Sequence, residues 1–127
     1  MCDLTFVLHG GIILMLSQLA GFAFARAIRS GNSDRWRMSH AACSAGGISL
    51  VALAPVVPHL AVDATGFAVA WIGSTYALCV GTVIAALSGH RGIESGPPLV
   101  NRAVYALYLI GAFGTTVATA ALIYGAR

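Results

Sequence analysis

The chain reads as an all-α integral membrane protein, a single four-helix bundle over residues 1–127. Three observations predict this. Hydrophobic residues make up 58% of the chain and charged residues only 9%, against about 25% charged in an ordinary globular domain. Four stretches reach the roughly 20 apolar residues that cross the hydrocarbon of a bilayer. Between them lie short segments rich in turn formers or charge. A water-facing surface could not be built from seven basic and four acidic residues.

The four stretches predict helices over 4–28, 39–62, 65–89 and 100–125. No basic stretch precedes the first, and it is longer than the apolar part of a signal peptide, so a retained helix is expected. Ser30-Gly31-Asn32-Ser33-Asp34 separates the first two helices, and Ser95-Gly96-Pro97-Pro98 the last two. Around Asp63 the connection is so short that helices two and three are expected to form an antiparallel hairpin. Small residues recur within the helices, among them Gly21, Gly46, Gly47, Gly73, Gly81, Gly111 and Gly114. They let membrane helices approach closely, or leave room for a flat ligand.

Every basic residue is an arginine. Arg26, Arg29, Arg35 and Arg37 fall in or beside the first connection, Arg91 and Arg102 in or beside the third, and none near Asp63. The positive-inside rule then puts the first and third connections in the cytoplasm and both termini outside. The arginines sit at helix ends and form no basic stripe, so nucleic acid is not an expected partner. Cys43 and Cys79 lie in apolar surroundings, where a thiol behaves as a small hydrophobe. No carboxylate lies within a helix core, which argues against a proton-coupled exporter. The sequence holds no nucleophile elbow, phosphate loop, dinucleotide fingerprint or HExxH motif.

Four histidines remain as candidates for chemistry: His9 and His59 near the outer face, His40 and His90 near the cytoplasmic face. His40 has the best surroundings. Ser44 and Gly47 follow it on one helical face at i+4 and i+7, with Cys43 and Gly46 beside them. A neutral imidazole is a common iron ligand, and small neighbours leave flat space for a macrocycle.

Three blocks resemble the styrene oxide isomerases. His9-Gly10-Gly11-Ile12-Ile13-Leu14-Met15 is similar to that family's opening helix. Arg35-Trp36-Arg37-Met38-Ser39-His40 resembles its Trp-Ala-Arg-Ala-His segment, and His90-Arg91-Gly92-Ile93-Glu94-Ser95-Gly96 its Asn-Arg-Gly-Leu-Ser-Phe-Gly loop. The resemblance implies a multi-pass protein of a bacterial-type inner (plasma) membrane that assembles with itself as a homotrimer and binds haem b between protomers. It implies conversion of a hydrophobic aryl epoxide to an aldehyde, with His40 as axial iron ligand; Ser44 and Gly47, on the face of His40, are then expected beside the cofactor. Ferric iron would act as a Lewis acid on the epoxide oxygen. Four positions of the implied substrate pocket depart from the family. Gly46 stands for an asparagine, Thr82 for a tyrosine, Ser74 for an aspartate and Tyr76 for a tryptophan. The alternative readings are a non-catalytic haem-binding membrane protein (sensor, carrier or electron-transfer subunit) and a small structural subunit.

The arginine pattern makes a direct prediction about topology. Reporter fusions at Arg127 and within residues 30–33 should report opposite sides of the membrane, and an internal signal from the C-terminal fusion would overturn the assignment.

Overall fold

The computed structural model describes residues 2–31, 33–90, 92 and 99–126. These form α1 (Cys2–Ile28), α2 (Ser33–Leu53), a 3₁₀ turn (Val57–His59), α3 (Ala64–Ser88) and α4 (Leu99–Gly125), with no strand among the described residues.

Local chemistry sets the ends. Asp34 lies in the first turn of α2, where a carboxylate favours the partial positive charge of the helix end. It also faces Arg37 at 3.5 Å, both largely exposed; such a pair is worth at most about 1 kcal/mol. Asp63 caps α3 by accepting from the backbone N–H groups of Thr65 (3.2 Å) and Gly66 (2.7 Å). Gly89 ends α3 in the left-handed region (φ 79°), its N–H bonded to the Ala85 carbonyl at 2.9 Å.

Helix two departs from expectation at both ends. It starts at Ser33, with three charged residues in its opening turns, and stops at Leu53 instead of continuing to residue 62. Pro55 is the cause: it lacks a donor and pushes the residue before it away from helical backbone. Pro58 is then the second residue of the short 3₁₀ turn. The backbone from Ala54 to Ala61 is nevertheless well occupied. Ala54, Val56, His59 and Leu60 donate to carbonyls three residues back, and Ala61 donates to the Gly125 carbonyl at 3.1 Å. That last bond ties the end of α4 to the connection between α2 and α3.

Three helices are long and apolar enough to cross a membrane, spanning Leu4–Ile28, Ala64–Ser88 and Leu99–Gly125. The fourth, α2, opens on charges and is 21 residues long, about 31 Å at 1.5 Å per residue. The most extensive packing is α1 on α2 and α3 on α4, with a smaller α2–α3 contact joining the two pairs. The core is thin. Phe6, Ile13, Leu50, Val57 and Val104 are almost fully buried, and Phe6 stacks on Phe67 with ring centroids 6.1 Å apart. Outside it, Leu4, Met15, Phe22, Leu99 and Phe113 are more than two thirds exposed, as expected of helices solvated by lipid and not by water.

The α1–α2 pair closes on two glycines. A Cβ on Gly10 would lie 3.0 Å from the Gly47 carbonyl oxygen, and one on Gly47 would lie 3.0 Å from that of Gly10 and 2.7 Å from Leu14 Cγ. Backbone cannot yield as a side chain can. Gly47→Ala should therefore cost about 1–3 kcal/mol. Gly11→Ala, where nothing lies within 4 Å, should be neutral or gain up to about 1 kcal/mol. Unfolding of both variants in detergent checks the contrast.

Candidate functional site

His40 sits on the α1-facing side of α2, two turns from the glycine crossing. Its Nδ1 lies 2.9 Å from the Ser17 carbonyl oxygen and 3.0 Å from Ser17 Oγ. A carbonyl can only accept, so this bond requires the proton on Nδ1. In the neutral ring Nε2 is then the unprotonated nitrogen, and it makes no hydrogen bond among the described residues. Ser17 Oγ also donates to the His40 carbonyl (3.2 Å) and meets Ser44 Oγ at 2.6 Å. The ring rests on Gly21, where a Cβ would come within 3.2 Å of Nδ1 and 3.3 Å of Cε1.

The result is an imidazole fixed in one tautomer with its basic nitrogen left over. Ligating histidines are held in this way, the far N–H being anchored to a carbonyl or carboxylate. Ser17 and Gly21 complete the site; in the sequence Gly21 stands only among the small residues, and nothing marks Ser17. Gly10, Ser17 and Gly21 fall at i, i+7 and i+11, one face of α1, a spacing that groups them without naming His40 as their partner.

The other expected site residues do not all converge on His40. Ser44 does, through Ser17. Gly47 is buried in the crossing with α1, so within one chain the flat space expected beside His40 is filled by Leu14 and the Gly10 backbone. Gly46 faces α3, where a Cβ would meet Thr75 Cγ2 at 2.6 Å. Ser74 is buried under α4 against Gly111 and Gly114, and its hydroxyl donates to the Trp71 carbonyl at 3.0 Å. Thr82 is also buried, its hydroxyl donating to the Cys79 carbonyl at 2.9 Å. Tyr76 turns towards α1: its hydroxyl lies 3.1 Å from His9 Nδ1, the two rings edge-on at 5.6 Å.

The remaining histidines differ from His40. His9 is engaged by Tyr76, and His59 is exposed on the 3₁₀ turn. His90 lies past the end of α3, and its backbone N–H bonds Ser88 Oγ at 3.3 Å. Two cavities flank the bundle. One, of about 510 Å³, lies at the arginine end and includes Thr82 in its wall. The other, of about 430 Å³, lies between α1 and α3 beside His9. No three His, Cys, Asp or Glu side chains converge among the described residues.

Comparison with known proteins bears on what this arrangement serves. No curated protein and no solved structure matches the chain. The family model described as styrene oxide isomerase matches residues 3–127. With nearly its whole length covered by that match, the chain belongs to the styrene oxide isomerase family.

Proposed function

We propose that this protein is a membrane-embedded, haem b-dependent isomerase that converts a hydrophobic epoxide, of aryl type, to a carbonyl compound. The observation that carries the reading is His40, whose Nδ1 is committed to the Ser17 carbonyl and whose Nε2 is left for a ligand. A lone imidazole suits an iron already held by a macrocycle, since no three His, Cys, Asp or Glu side chains converge among the described residues. His40 would hold haem b, whose iron would supply a Lewis acid for the epoxide oxygen, a chemistry suited to isomerisation without net redox change.

The chain's own residues do the rest. The Ser17 carbonyl orients the imidazole and fixes the proton on Nδ1. The hydrogen bond between Ser17 and Ser44 fixes the hydroxyls next to it. Apolar helix faces keep water from the opened epoxide, which water would trap as a diol. Gly46, Ser74, Tyr76 and Thr82 offer less polar recognition than the family's residues, which favours an apolar substrate. A chain this small has too little interior to enclose a macrocycle alone, and a homotrimer covering the His40 face is part of the proposal.

One observation favours a second reading. The hydroxyls of Ser74 and Thr82 are spent on backbone carbonyls and are not free for substrate. A non-catalytic haem-binding membrane protein would need neither.

Two measurements test these readings in turn. His40→Ala should abolish or shift the Soret band of purified protein, whereas His59→Ala should leave it nearly intact; equal spectra for wild type and His40→Ala would remove the ligand assignment. Ferric protein should convert styrene oxide slowly to phenylacetaldehyde by gas chromatography. Each lost polar contact slows it about 5- to 150-fold, equivalent to about 1–3 kcal/mol. If no epoxide in an aryl and alkyl panel rearranges faster than with His40→Ala, the non-catalytic reading replaces the isomerase.

A further inference from the structure

We propose that the cavity at the arginine end is a binding site for an anionic phospholipid, separate from the histidine site. Its mouth is the charged first turns of α2 and its wall is the last turns of α3, closed by Tyr108 of α4. Met38 lines it, and Met38 and His40 are two positions apart on one helix, which points them about 200° apart. Within one chain the cavity therefore opens on the side of α2 away from the imidazole and α1.

The lining changes character with depth. At the mouth stand Arg35, Arg37 and Asp34, two positive charges and one negative. Arg37 meets Asp34 only at 3.5 Å with both side chains well exposed, a pairing weak enough for a phosphate to displace. Arg35 lies across the end of α3, so close that a Cβ on Gly89 would come within 2.5 Å of its Nη1. Deeper in, Ala85 and Ala86 give an apolar wall with Met38, beside Thr82, whose hydroxyl is bonded to the Cys79 carbonyl. Between these zones, Tyr108 rests its ring on Gly81, where a Cβ would be 3.0 Å from Cε1. Its hydroxyl makes no hydrogen bond among the described residues.

That gradient matches a phosphodiester carried on acyl chains. A guanidinium binds the phosphate, the phenol donates to an ester oxygen, and the first methylenes lie on the alanine wall. Basic pockets between membrane helices at the arginine-rich face bind anionic headgroups for the same reason. A volume of about 510 Å³ falls within the roughly 300–1,000 Å³ of ordinary ligand sites. A soluble anion would use the mouth and waste the wall.

The test uses full-length protein in a neutral detergent, with native mass spectrometry read against phosphatidylglycerol, phosphatidylcholine and soluble glycerol phosphate. Phosphatidylglycerol should be retained at least about five-fold more tightly than phosphatidylcholine, the advantage expected of one arginine at a membrane surface. Arg37→Gln and Tyr108→Phe should each bring the two lipids closer to parity; the second keeps the ring on Gly81, so the fold is preserved. Arg102→Gln, outside the cavity, should leave the preference unchanged. Equal retention of the two lipids would overturn the proposal, as would an equal loss with Arg102→Gln, which would mean diffuse charge. Competition by glycerol phosphate as strong as by the lipid would assign the mouth to a soluble anion. Displacement of the lipid one for one on loading with haem would assign the cavity to the cofactor, and either result would overturn the lipid site.

Discussion

The approach of two backbones at Gly10 and Gly47 is the constraint on which the rest of this molecule depends. Lipid gives helices no hydrophobic reason to associate, so contact must come from close packing and hydrogen bonds. At the crossing each glycine faces the other's carbonyl with no room for a methyl group. Two turns along α1 is Ser17, and two turns back along α2 is His40. With antiparallel helices these pairs fall opposite each other, and the closeness set at the crossing lets a main-chain carbonyl reach an imidazole at 2.9 Å. His40 is thus positioned by a contact between two glycine backbones seven residues away on each helix.

Much of the fold was legible because lipid imposes simple rules. Long apolar runs give α1, α3 and α4 within a few residues, and Asp63 and Gly89 punctuate α3 as their chemistry dictates. The end of α2 was not legible from hydropathy: residues 51–62 are as apolar as any span, and only the main chain registers Pro55. The same limit applies to the site. His40 stands out by residue type in so apolar a chain, and Ser44 by its spacing. Ser17 could not be read as its partner, because the key acceptor is a main-chain carbonyl 23 residues away. Gly47 showed the ambiguity of small residues, which serve open space and tight packing equally well; here packing took it.

Family membership and local geometry bear on different parts of the reading. The family match covers the whole membrane domain, while the side-chain network explains one histidine. At the positions where the family resemblance implies polar pocket residues, this chain has residues occupied elsewhere. Ser74 serves the α3–α4 contact, Tyr76 pairs with His9, and Thr82 bonds its own helix. With these replacements, Ser74, Tyr76 and Thr82 serve the packing and hydrogen bonding of the bundle itself.

The prolines after α2 carry a consequence of another kind. Breaking a helix in hydrocarbon is costly because it strands N–H groups where no water can reach them. Between Ala54 and Ala61, however, Pro55 and Pro58 have no N–H to strand, and Ala54, Val56, His59, Leu60 and Ala61 already have acceptors. Among the described residues, the Val57 N–H alone has no main-chain acceptor, on a residue that is 1% exposed. The imino acids that interrupt the ladder also remove the donors that the interruption would have orphaned. This irregular stretch can therefore sink into the edge of the bilayer, and it need not mark where the membrane ends.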